Sequence, residues 1–217
     1  LEESLREQLI LENKIDWFEN ECLSLLEVSR SVEDPASWES SYSQISGSWK
    51  LEIESLECLQ QLCFWRETQA RQRNKPKSWI AKDSDLLKMS LIIGDSNNIS
   101  IKKLMADTNI DKRFLENEGE EIIDKLSNSR DRLKPIEKEL LNYPLSSSSR
   151  KILKLCQERV AKVAERLSIS PELLARKRIL QKLVKDYEYS GSLIWPKEFY
   201  GWRKEVLDDT LTQIFSN

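Results

Sequence analysis

The sequence has 217 residues, 39% of them hydrophobic and 33% charged, with seven Trp and only five Gly, a composition that favours helices over sheet. Its net charge of −3 hides an asymmetry: residues 1–50 carry 4 basic against 11 acidic side chains, whereas residues 147–217 carry 14 against 9. There is no histidine, which removes the commonest general base and the usual zinc ligand, and no apolar run approaches the roughly 20 residues that span a bilayer.

Residues 1–29 read as one helix or two joined end to end, with Leu5, Leu9, Ile15, Phe18, Cys22 and Leu25 or Leu26 recurring at helical spacing. Residues 30–50 are polar and broken by Pro35 and Gly47; they read as a connector with little regular structure, whose aromatic side chains pack on a neighbour. A second helix starts at Glu52 with Leu56, Leu59, Cys63, Arg66 and Ala70 on its apolar stripe, and Pro76 ends it near Asn74 by disfavouring the helical region for Lys75. A short helix over "SWIAKDSDLLKMSLI" is expected to bury Ile80, Leu86, Leu87 and Met89, "GDSNN" reads as a turn, and residues 100–132 read as further short helices broken at Gly119.

Two prolines and a serine run in residues 135–149 mark an internal boundary, giving a segmentation into 1–50, 51–134, a linker at 135–149, and 150–217. Ser148 or Ser149 is placed to cap the next helix, whose stripe is Ile152, Cys156, Val160, Val163 and Leu167. Ser170, Pro171 and Glu172 form a helix start, and a last helix carries Phe199, Trp202, Val206, Leu211 and Ile214. Laid together, the two helical regions show an internal repeat. Leu62, Cys63, Arg66, Ala70, Ala81 and Leu86 fall on Leu155, Cys156, Arg159, Ala164, Ala175 and Leu180, and in both regions a proline, Pro76 or Pro171, sits between the first and second helices.

Two basic tracts are candidate anion-binding surfaces. Between Arg71 and Lys82 lie Arg71, Arg73, Lys75, Lys77 and Lys82 with no acidic residue among them. Between Arg150 and Lys185 there are 11 basic and 3 acidic residues, including the consecutive Arg176, Lys177 and Arg178. Several cations along one edge are what a phosphate backbone requires, since each neutralised phosphate releases condensed counterions. The plain alternative is a solvated charged face. On a regular helix three consecutive residues span about 200°, so at least one of Arg176–Arg178 is expected to pair with an internal carboxylate or to lie along the surface. Trp79 is expected in the core, a stack on an unpaired base being its alternative. Arg66, on an apolar stripe, is expected to make a buried polar bond.

The stretch "WRETQARQRNKPKSWIAKDSDLL" resembles the first HRDC (helicase and RNase D C-terminal) domain of the ribonuclease D family, through Trp65, Arg66, Ala70, Asn74, Pro76, Ile80 and Asp83. "ISPELLARKRILQKLV" and "GWRKEVLDDTLTQIF" resemble the second, more divergent HRDC domain, and "NKIDWFENECLSLLE" the segment that follows the nuclease domain. The resemblance implies an all-α fold with two small helical-bundle domains in tandem behind a connecting helical segment. It implies a parent 3′→5′ exoribonuclease that trims tRNA precursors, with RNA as the partner and an upstream nuclease domain holding a magnesium-like divalent metal. That family's catalytic acids, tyrosine and final histidine motif have no counterpart here, so this chain is expected to lack catalytic residues and a cofactor of its own, and sequence upstream of Leu1 is expected. The rival expectation is a helical scaffold that binds protein. With no membrane segment, no signal peptide and no close pairing of Cys22, Cys58, Cys63 and Cys156, a cytoplasmic protein with free thiols is expected.

Overall fold

The computed structural model describes residues 2–94, 100–107, 109–128 and 133–216, and among these there is no strand. The helices are α1 (Glu2–Leu11), α2 (Ile15–Glu33), α3 (Pro35–Trp38), α4 (Ile53–Gln72), α5 (Lys77–Ile80), α6 (Asp83–Gly94), α7 (Ile101–Ala106), α8 (Lys112–Asn128), α9 (Ser147–Leu167), α10 (Pro171–Leu174), α11 (Lys177–Ser190) and α12 (Trp202–Phe215). The protein is all-α. Two compact units divide it: residues 25–143, and residues 1–24 together with 144–217, each with its own hydrophobic cluster.

In the unit formed by residues 25–143, α4 is the central element. Leu56, Leu59, Leu62 and Cys63 are fully buried along it, and α5, α6 and α8 pack around it. The helix ends where the sequence indicated: Arg73 is the C-cap and Asn74 turns left-handed with φ 48°, a conformation asparagine tolerates better than most residues. Gly94 lets α6 approach α4 closely, since a Cβ there would strike the Ser55 hydroxyl and lie 2.8 Å from its Cα.

Two expectations about breaks are corrected in this unit. α8 runs unbroken through Gly119, which is buried and faces Ile101; the glycine makes room for a neighbour rather than ending the helix. The single helix expected after Pro76 is two, because Ala81 is extended at φ −155° and ψ 140° between α5 and α6. The expected turn at "GDSNN" falls largely on residues 95–98, outside the described residues. Residues 39–51 are integral to the core despite their short turns. Tyr42 is fully buried and accepts from the Glu137 amide at 2.9 Å, while Trp49 tilts against Tyr143.

In the second unit α9 packs against α10, α11 and α12. Ser146, rather than Ser148 or Ser149, caps α9 by accepting from the Ser149 amide at 3.1 Å. Ser170 precedes Pro171 as expected, but its hydroxyl donates to Glu172 instead of capping the helix. Trp17 stacks on Trp202 with centroids 4.6 Å apart, Glu21 accepts from the Trp202 indole at 3.0 Å and from Arg203 at 2.6 Å, and Lys14 donates to the Leu167 carbonyl at 2.7 Å.

The internal repeat reappears as geometry. α4–α5–α6 and α9–α10–α11 share one succession: a long helix, a four-residue helix, a buried extended alanine, then another helix. Ala81 donates to the Lys77 carbonyl at 3.1 Å and Ala175 to the Pro171 carbonyl at 2.9 Å. Cys63 and Cys156 are both fully buried at matching places. Residues 2–29 fold into two successive helices, α1 and α2, the second running on to Glu33; no residue of either is buried, and Leu5, Phe18, Leu25 and Leu26 are exposed. Leu9, Ile15 and Trp17 are partly buried, Trp17 against the second core, while the side chains from Leu23 to Leu26 are left uncovered.

Candidate nucleic-acid interface

The cationic segment between α4 and α6 is held rigidly. Lys75 donates its amide to the Ala70 carbonyl at 2.8 Å, Trp79 to Pro76 at 2.9 Å, and the buried Ile80 anchors the far side. The acids missing from the local sequence arrive from elsewhere in the fold. Arg73 forms a fork with both oxygens of Glu118 on α8, at 2.6 and 2.9 Å, and Lys82 reaches Asp111 at 3.1 Å. Lys77 and Arg71 both donate to Glu67, each at 2.7 Å. Arg71 also bonds Glu33 at 3.0 Å and the Val32 carbonyl at 2.8 Å, and lies 4.1 Å over the Trp38 ring. Arg71 is therefore a clamp between the ends of α4 and α2, with little freedom to meet an external ligand.

Glu67 shows how strongly the clamp is charged. Burial disfavours its ionised form, but the bonds from Lys77 and Arg71 outweigh that cost and hold its carboxyl below the ordinary value. Of the five candidate cations here, Lys75 alone forms no side-chain ion pair among the described residues. Exposed ion pairs contribute about 0–1 kcal/mol, so Lys82, paired with the exposed Asp111, remains exchangeable toward a polyanion, whereas Arg73 and Lys77 are held by the largely buried carboxylates of Glu118 and Glu67.

Arg176, Lys177 and Arg178 contrast with that segment. They do not spread around the middle of a helix. Arg176 is the extended N-cap of α11, and Lys177 and Arg178 begin it. All three are exposed, and none forms an ion pair among the described residues. The expected pairing of one of them with an internal carboxylate is thus not found as a bond, although Arg176 lies near enough to Glu21 to favour its ionised form. No side chain caps this end of α11, and its helix dipole presents partial positive charge to three cations. A phosphate at this end would relieve that repulsion.

Of the other residues singled out, Arg66 and Trp202 fall in the core and Trp195 lies partly buried against it. Arg66 is 5% exposed and donates to the Ala81 carbonyl at 3.1 Å and to Asp83 at 2.6 Å, the buried polar role read from the sequence. Trp202 is buried in its stack with Trp17, and Trp195 packs edge-on to Phe199. Trp79 corrects the expectation of a core residue: it is 75% exposed. The Cys58, Cys63 and Cys156 thiols are buried and free, pushed by desolvation up to about 12, while Cys22 is exposed and free. No group of three or more potential metal-ligating side chains occurs among the described residues, and no described helix is long and apolar enough to cross a membrane.

Comparison with known proteins places this geometry. Residues 55–126 match the HRDC domain family, and residues 148–211 match the family described as the ribonuclease D C-terminal HRDC domain. The ribonuclease D of Pseudomonas paraeruginosa is 29% identical over 171 residues, covering 78% of this chain and 44% of that protein. That of Haemophilus influenzae is 28% identical over 197 residues, covering 86% of this chain and 46% of that protein. The chain thus spans about half the length of the curated relatives it matches. Among solved structures, Escherichia coli RNase D, described as an exoribonuclease involved in structured RNA processing, superposes with a TM-score of 0.69 over 98% of this chain and 55% of that one. At 20% identity that likeness shows the fold alone.

Proposed function

Because the chain belongs to the HRDC family through both of its domains, the second of the ribonuclease D type, we propose that it is the RNA-positioning part of a ribonuclease D-like 3′→5′ exoribonuclease. In this reading the two domains hold a structured RNA, a tRNA precursor in particular, so that its 3′ end enters an active site on a nuclease domain upstream in the same protein. The divalent cation that such hydrolysis uses would sit there, and this region would act in the cytoplasm without chemistry of its own. The observation that carries the binding role is the unpaired Arg176–Lys177–Arg178 cluster at the uncapped start of α11. Ion-paired cations gain little by exchanging one anion for another, whereas unpaired ones gain the full counterion release.

A protein-binding scaffold is the second reading, favoured by the uncovered apolar side chains of α1 and α2. Incubation with magnesium and a 5′-labelled tRNA bearing a short 3′ extension separates the possibilities. The chain is expected to retard this RNA in a native gel and leave its length unchanged on a denaturing gel. Shortening from the 3′ end contradicts the assignment of chemistry to another domain. RNA that stays free at every protein concentration contradicts the binding role and leaves the scaffold.

A further inference from the structure

Six of the seven tryptophans have an evident structural use, because Trp17, Trp38, Trp49, Trp65, Trp195 and Trp202 each contact another aromatic ring. Trp79 has no ring partner among the described residues and no side-chain hydrogen bond, and it is the most exposed of the seven. It is also not loosely held. The four-residue α5 carries it between the φ-restricted Pro76 and the buried pair Ile80 and Ala81, with backbone bonds closing both ends of the turn. An indole set out in water on so anchored a backbone fills no core and makes no ring contact or side-chain hydrogen bond among the described residues.

Its surroundings are cationic. Lys75, Lys77 and Lys82 lie within four residues of it in sequence, all three are exposed, and Lys75 has no ion-pair partner among the described residues. An aromatic face beside exposed cations is the arrangement that holds a single strand: the ring stacks on a base of any identity and the cations follow the backbone.

The internal repeat supplies a comparison within the molecule. Leu173 stands where Trp79 stands, on the four-residue α10 just before a buried leucine and the extended Ala175, and it too is exposed. Leucine cannot stack on a base, and the cations that follow it, Arg176 to Arg178, are suited to phosphates. We propose that Trp79 is a stacking platform for one unpaired base of the RNA, with Lys75 on the adjoining phosphate, and that the second domain contacts the backbone without a stack. This rests on the RNA-binding reading above and adds to it a preference for a single-stranded segment.

The test uses two fluorescent RNAs with the same duplex, one blunt and one with a four-nucleotide 3′ extension, titrated with the chain and its Trp79→Ala, Trp79→Phe and Leu173→Ala variants. Trp79→Ala is expected to lose at least about fivefold in affinity for the extended RNA, the low end of what base–aromatic stacking contributes, and nothing for the blunt one. Trp79→Phe should recover most of the loss, and Leu173→Ala should show none of it. Equal affinity of Trp79→Ala and the parent for the extended RNA overturns the platform, while the binding role stands. An equal loss on both RNAs also overturns it, as does a matching loss in Leu173→Ala. Failure of the unsubstituted chain to bind either RNA removes the broader reading and the platform with it.

Discussion

Arg66→Ala is expected to destabilise the first domain by about 2–4 kcal/mol. The side chain is buried, so the substitution removes the packing of its aliphatic stem and leaves the Ala81 carbonyl, at the extended junction of α5 and α6, without its donor. The partner Asp83 is 61% exposed, so its charge is screened by water and the ion pair itself accounts for under about 1 kcal/mol. Asp83→Asn should therefore be mild, and Arg66→Met, which keeps the stem, should fall between the two. Hydrogen exchange reads this domain by domain. Amides of α4 and α6 should exchange roughly 30–1000-fold faster in Arg66→Ala, at a factor of ten per about 1.4 kcal/mol. Amides of α9 and α11, which surround a separate core, should be unchanged. Unaltered protection in α4 would mean that Arg66 is dispensable.

Joint replacement of Arg176, Lys177 and Arg178 by glutamine is expected to lower RNA affinity by at least about tenfold near 50 mM salt, and to flatten the dependence of log affinity on log salt by about two to three units. The side chains are exposed and form no ion pairs among the described residues, and removing three cations from a helix N-terminus relieves repulsion, so the fold should be no less stable. Arg73→Gln or Lys82→Gln should cost less than about threefold by comparison, because Glu118 and Asp111 already neutralise those charges. The opposite ranking would move the RNA contact to the segment between α4 and α6.

Much of this architecture was legible in the residues. The stripe of α4, its stop before Pro76 and the buried role of Arg66 follow from spacing and backbone chemistry acting within a turn or two. What was illegible depended on residues far away in the chain. The segment from Arg71 to Lys82 shows no acid locally, yet Glu118 is 45 residues from Arg73 and Glu33 is 38 from Arg71. Gly119 has the same sequence signature whether it breaks a helix or admits a neighbour, and Ile101 decides the matter. Trp79 beside Ile80 looks like core, but in a four-residue helix followed by an extended alanine only one of two adjacent side chains turns inward. The repeat itself carried a usable signal, since the matching Leu173 is exposed while Leu174 is buried.

The most direct test of RNA positioning is fluorescence anisotropy of the chain with a labelled tRNA bearing a short 3′ extension, at about 50 mM and about 200 mM salt. The expected result is measurable binding at the lower salt and a loss of tenfold or more at the higher, as several phosphate contacts require. Absence of binding even at the lower salt would contradict it and leave the basic side chains as a solvated face on a protein-docking region.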